Sequence, residues 1–215
     1  MMRGRFITLE GGEGTGKSTQ VRRLELALRR RGVTVQTTRE PGGSPGAEEI
    51  RQLLVTGGAG RWSPTTETLL HFAARRDHLE RTVLPALERG CWVVSDRFAD
   101  STRAYQGYGL GLDLAVIDRL YSISVGAFAP DLTFVLDLPA EIGLARASAR
   151  SAADRYESMN LGFHCRLREG FLDIARAEPG RCVVIDASPD EDLVADAVLA
   201  VVEQRLLRPT PLVKS

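Results

Sequence analysis

Residues 11–19 read Gly11-Gly12-Glu13-Gly14-Thr15-Gly16-Lys17-Ser18-Thr19. Gly11, Gly16, Lys17 and Ser18 fit the spacing G-x-x-x-x-G-K-[S/T], in which a glycine-rich loop joins a strand to a helix. Both flanks supply that setting. The apolar run Phe6–Leu9 precedes the loop, and Val21, Leu24 and Leu28 follow it at i, i+3 and i+7, with Gly32 as a helix stop. Glycines let successive backbone N–H groups turn inward on phosphates, and the helix N-terminus adds positive potential. In such a loop Lys17 spans the β- and γ-phosphates and Ser18 holds Mg²⁺. A purine nucleoside triphosphate with Mg²⁺ is the expected ligand.

Working outward, Val33–Thr38, Trp92–Ser95, Leu132–Asp137 and Cys182–Asp186 read as four more buried strands. Helical patterns over 65–89, 112–126, 140–149, 160–177 and 190–208 separate them. Ser188-Pro189-Asp190-Glu191 is a helix entry, with proline and early acids. Strands alternating with helices predict an α/β P-loop NTPase fold: a five-stranded, mainly parallel sheet with helices on both faces, and ligands at the carboxyl ends of the strands. A chain of 215 residues suits one such domain, 1–208, followed by a flexible tail, 209–215, that begins at Arg208-Pro209-Thr210-Pro211.

The formal net charge is zero, 28 basic against 28 acidic residues, so no global field draws the chain to nucleic acid or a membrane, and neither is an expected partner. Lysine is confined to Lys17 and Lys214, so the single internal lysine falls inside the phosphate loop. Cys91, Cys165 and Cys182 are odd in number and widely spaced, which suggests packing in a reducing compartment. The short apolar run after Met1-Met2-Arg3-Gly4-Arg5 is too brief for a signal peptide, and a cytoplasmic location is the expectation.

Three further clusters narrow the class. They are Leu9-Glu10-Gly11-Gly12-Glu13-Gly14, Thr38-Arg39-Glu40-Pro41-Gly42-Gly43, and Asp96-Arg97-Phe98 followed by Ser101-Thr102-Arg103-Ala104-Tyr105-Gln106-Gly107. Together they resemble the bacterial thymidylate kinases. The resemblance runs nearly end to end, through 132–138, the arginine-bearing stretch 146–157 and Ile185-Asp186-Ala187. It implies transfer of the γ-phosphate of ATP to dTMP, giving dTDP, by a homodimer that uses Mg²⁺.

The resemblance also distributes roles. Arg39 and Arg97 each lie just beyond a predicted strand, and in the family they hold the acceptor 5′-phosphate, neutralising charge so that two anions can meet in line. Asp96 ends its strand where an acid would organise Mg²⁺ directly or through water. Glu13 would accept a hydrogen bond from the 3′-hydroxyl of the monophosphate. Gly14 stands where one branch of the family has arginine. The stretch 147–155 is similar to the mobile lid of the other branch, which supplies the arginine itself. A lid over about 147–158 is therefore expected, with Arg150 and Arg155 as catalytic candidates and Arg146 near the adenine or phosphates.

For the base, the resemblance points to Leu70-His71-Phe72-Ala73-Ala74-Arg75. An aromatic ring stacks on thymine and an arginine one turn later bonds its O4, a role that Arg75 fits by its spacing to Pro85. Four residues back is His71, with Phe72 one step away; adjacent helix positions differ by about 100°, so only one of them can face the base. Thr102 and Gln106 would meet the N3/O4 edge, and Tyr105 would crowd the space beside C2′. A GTPase switch would need an NKxD-type guanine reader, which is absent. A partition-type ATPase would carry a second lysine in the loop, where this chain has Gly-Gly-Glu.

Overall fold

The computed structural model of the chain describes residues 3–58, 60–149 and 155–207. Five strands, β1 (Phe6–Glu10), β2 (Val35–Arg39), β3 (Trp92–Asp96), β4 (Leu132–Asp137) and β5 (Cys182–Asp186), form one sheet in the order β2-β3-β1-β4-β5. Every pairing is parallel. β1 is buried at all of its positions, as a strand covered on both faces must be. Its neighbours β3 and β4 are reached by crossovers running to opposite sides, which opens a crevice at the carboxyl end of β1. The register places Leu9 opposite Asp96, and Asp96 opposite Arg39, so these three strand ends lie in one row.

Helices cover both faces. On one, α1 (Lys17–Arg30) contributes Val21, Leu24 and Leu28 and α9 (Glu191–Val202) contributes Val194 and Val198, packed on Ile7, Leu9 and Leu136. On the other, Phe6 and Val93 meet α3 (Pro64–His78), α4 (Leu84–Glu88) and α6 (Leu114–Ser124) through Phe72, Leu87 and Ile117. The sequence-predicted helix 65–89 is α3 and α4 joined by a π turn, Leu79–Val83. That extra residue falls just before Pro85, which has no backbone donor to give to a regular turn.

Two helical segments escaped the sequence reading. α2 (Pro45–Val55) begins with proline after Ser44, whose hydroxyl donates to Asp77 at 2.6 Å rather than capping its own helix. α5 (Ala99–Thr102) continues as a π-helical stretch, Arg103–Gly109. Its glycines read as loop, yet they serve close packing: a Cβ on Gly109 would sit 2.4 Å from the Phe163 ring of α8 (Leu161–Ala177). The fold is completed by α7 (Ala140–Ser148). Of the expected lid, residues 150–154, Arg150 among them, lie outside the described residues, as does the tail from 208 onward. Among the described residues no helix is long and apolar enough to cross a membrane.

Candidate active site

The loop after β1 is built as its glycines require. Gly14 has φ +68°, and an added Cβ there would lie 2.0 Å from the Gly143 carbonyl oxygen of α7. The loop thus presses backbone to backbone on the helix that leads to the lid stretch. α1 starts at Lys17 with no side-chain cap and no acid in its first turn, leaving its amides to an anion. The buried Lys17 ammonium donates to the Gly12 and Gly11 carbonyls at 2.6 and 3.1 Å and to Thr15 Oγ1 at 3.3 Å. Burial and the charge of Arg97 push it down to about 8, against the pull of Glu13 and Asp96. Ser18 Oγ donates to Asp96 Oδ2 at 2.5 Å, so the two sequence-predicted metal residues meet at one point.

In front of the loop lies a cavity of about 290 Å³, walled on one side by Glu13, Lys17, Ser18, Asp96 and Arg97 and on the other by Arg39, His71, Arg75, Thr102, Tyr105 and Gln106. Arg97 is its hinge. It takes φ +72°, unlike every other described non-glycine residue, held there by its N–H on Leu9 O (3.0 Å) and by Ser95 Oγ on its carbonyl (2.7 Å). That turn aims the guanidinium back at the loop, donating to Gly11 O at 2.9 Å, Ser101 Oγ at 3.2 Å and Glu13 Oε1 at 3.1 Å. The guanidinium also stacks on Tyr105, whose hydroxyl donates to Glu13. Burial would raise the Glu13 carboxyl, but Arg97, Lys17 and the Tyr105 hydroxyl together hold it down at about 2. Arg39 reaches the same cavity from β2, more exposed and paired with Glu48 at 3.1 Å.

α3 carries the far wall. Glu67, His71, Arg75 and His78 recur at i, i+4, i+8 and i+11, so one face of the helix is polar and turned inward. That face determines which of His71 and Phe72 borders the cavity. Phe72 fills the core beside Leu79 and Tyr121 and does not line the cavity; His71 does. The 100° step between neighbours turns the two side chains to different sides of α3. Burial, with the cations Arg75, Arg97 and Arg51, pushes the His71 imidazole down to about 3, so it stays neutral. Its Nε2 is 3.1 Å from the Tyr156 hydroxyl.

Arg75 is buried, ion-paired with Glu40 at 2.7 Å, and donates through Nη2 to Thr102 Oγ1 and Phe98 O at 3.0 and 3.2 Å. Gln106 Nε2 donates to Glu67 at 2.8 Å. Arg155 is held against α3. It ion-pairs with the buried Glu67 and lies over the Tyr156 ring, where a buried carboxylate demands a countercharge. It lines neither this cavity nor the one behind the loop. That second cavity, about 490 Å³, is bounded by Gly14, Thr15, Gly16, Thr19, Arg146 and Pro189, with Arg146 donating to the Ala187 and Ser188 carbonyls at 3.0 and 3.2 Å.

Sequence reasoning missed the buried acids behind these residues. Glu10 accepts from Phe98 N at 2.7 Å and Ser101 Oγ at 2.6 Å. Glu40 and Glu67 neutralise Arg75 and Arg155. Spacing held one usable signal: Glu67 stands four residues before His71 and eight before Arg75.

Comparison with known proteins gives the family. The family model described as thymidylate kinase matches residues 9–198. The thymidylate kinase of Caulobacter vibrioides is 59% identical over 206 residues, covering 96% of this chain and 99% of that relative. That of Dinoroseobacter shibae is 56% identical, covering 91% of this chain and 95% of the relative. Among solved structures, the thymidylate kinase from Ehrlichia chaffeensis superposes with a TM-score of 0.77 at 35% identity, over 93% of this chain and 99% of that one.

Proposed function

The chain belongs to the thymidylate kinase family and transfers the γ-phosphate of ATP to dTMP, and on that premise we propose how its residues divide the work. ATP enters from the second cavity, its phosphates on the amides of 11–19 and its adenine beside Arg146. The 5′-phosphate of dTMP lies on Arg97 and Arg39, with the base against His71 and the Arg75, Thr102 and Gln106 edge, and the sugar between Glu13 and Tyr105. One observation carries the reading. Arg97 touches the phosphate loop at Gly11 while walling the acceptor cavity, so donor and acceptor sites share a boundary one side chain thick. Phosphoryl transfer needs little covalent help from the protein; it needs two anions aligned and their charge neutralised, which Lys17 and Arg97 supply from opposite sides.

The donor set suits Mg²⁺ as well. A single hydroxyl, Ser18, beside a single acid, Asp96, is the sparse set that a magnesium ion sharing phosphate oxygens and water takes. When bound, the ion would neutralise charge between the phosphates. We further assign 1–208 as one kinase domain with a lid about 147–158, from which Arg150 would reach the transferring phosphate. We assign a homodimer too: Leu53, Leu69 and Ile123 expose apolar side chains on the adjoining helices α2, α3 and α6, a surface suited to a second copy. The free thiols Cys91, Cys165 and Cys182 suit a cytoplasmic location. A panel of acceptors with ATP tests the reading. Transfer to dTMP but not to AMP, GMP or dCMP supports it, and ATP hydrolysis indifferent to dTMP overturns it.

A further inference from the structure

Behind Arg75 runs a chain of buried polar groups that starts at the cavity wall with Glu40 and leads away from it through His78 and Thr38. Arg75 Nε donates to Glu40 Oε2 at 2.7 Å; Glu40 Oε1 accepts from His78 Nδ1 at 2.9 Å; and His78 Nε2 meets Thr38 Oγ1 at 2.7 Å. Glu40 is 5% exposed, Arg75 2% and His78 0%. Glu40 is itself tied to the sheet, its N–H on the Asp96 carbonyl at 2.9 Å. The packing is tight, since a Cβ on Gly43 would come within 2.4 Å of Thr38 Oγ1 and 2.5 Å of His78 Nε2.

A buried ion pair is a poor way to gain stability, because desolvating both charges offsets most of their attraction; hydrophobic residues of like volume do as well or better. What such a pair does supply is direction. With Nε on Glu40 and Nη2 on Phe98 O and Thr102, the planar guanidinium has no rotation left. Its remaining nitrogen, Nη1, is buried and has no protein partner, although Arg75 lines the acceptor cavity. Orphaned buried donors of this kind call for a ligand.

We propose that Glu40 and His78 are positioning residues for base selection: they fix Arg75 so that Nη1 donates to a carbonyl oxygen at position 4 of the pyrimidine. A 4-aminopyrimidine presents a donor at that position and leaves Nη1 unsatisfied. The inference rests on the assignment of the base to the Arg75 wall made above.

The test compares kcat/KM for dTMP and dCMP, with ATP saturating, in the wild type and in Glu40→Gln, His78→Ala and His78→Asn. Glu40→Gln and His78→Ala should raise KM for dTMP far more than they change KM for ATP. They should also lower the dTMP-to-dCMP preference by about 10–100-fold, the scale of losing a buried charged hydrogen bond. His78→Asn, whose amide N–H replaces Nδ1–H toward Glu40, should restore most of that preference. If His78→Ala does not fold, Thr38→Val removes only the outermost hydroxyl and should lower the preference by about 3-fold, a weak hydrogen bond's worth. A preference unchanged in folded variants overturns the positioning role while leaving the acceptor assignment standing. A wild type that prefers dCMP overturns that assignment instead.

Discussion

Arg97 and Glu13 form an ion pair across the mouth of the phosphate loop, Nη2 to Oε1 at 3.1 Å, with 15% and 14% of their side chains exposed. The pair joins β3 to the loop after β1, and so joins the acceptor wall to the donor wall. Its basic member is free to turn to a phosphate only because the Tyr105 hydroxyl and Lys17 also hold Glu13 ionised.

Replacing Arg97 by alanine should therefore lower kcat/KM for dTMP by about 10²–10³-fold, the usual loss on removing one group that stabilises developing charge. Titration with a non-hydrolysable ATP analogue should show nearly wild-type affinity. Unaltered dTMP kinetics in this variant would sink the assignment of Arg97 to the acceptor phosphate.

His71 presents a neutral ring to the cavity. His71→Ala should raise KM for dTMP by up to about 10-fold, the scale of one aromatic stacking contact, while His71→Phe keeps the ring and stays close to wild type. Because the imidazole is pushed down to about 3, the pH profile of kcat/KM for dTMP should lose its histidine limb in the alanine variant only if that reading is wrong; no limb near 6.5 is expected in either protein. Steady-state kinetics from pH 5 to 8 checks both points.

Glu10 links pH to stability. Burial, with repulsion from Asp100, pushes its carboxyl up to about 8 from 4.5, against the bonds from Ser101 and Phe98 and the charge of Arg97. A carboxyl raised on folding holds its proton in the native state after the unfolded chain has lost it, so its contribution is complete below pH 4.5 and fades as pH rises toward 8. The urea midpoint should accordingly fall between pH 5 and 8 through this group, and Glu10→Gln should flatten that slope. Equal slopes in the two proteins would exclude Glu10 as the source.

Gly14→Arg places at the loop the charge that one branch of the family carries there. Here φ is +68° and Gly143 backbone lies 2.0 Å from the added Cβ, so the variant should be destabilised by at least about 1–3 kcal/mol, with lower rather than higher turnover. Thermal melting and initial rates decide it; a variant as stable and active as the wild type would show that the loop and α7 separate freely.

Reading the chain alone placed the phosphate loop, the five strands and most of the helices, and it brought Arg97, Ser18 and Asp96 to one site. It lost α2, where Ser44-Pro45-Glu48 was a usable entry signal, and Ala99–Gly109, where Gly107 and Gly109, which admit Leu114 and Phe163, hide the helix. α3 is ambiguous for a different reason. Its inward face is Glu67, His71, Arg75 and His78, so no apolar stripe marks the side that meets the cavity, and the chain alone left His71 and Phe72 open.

What the order of residues determined by itself was everything that neighbours in the chain can decide: a glycine nest needs only its own φ angles, and a strand or helix only its own period. What waited for the tertiary structure was the choice of partner. Glu40 meets Arg75 across 35 residues and Glu10 meets Ser101 across 91, and Arg155 turns to Glu67 rather than to the loop. A buried charge is tolerable only beside its counterion, and which counterion stands beside it is known only once the sheet has brought distant segments together.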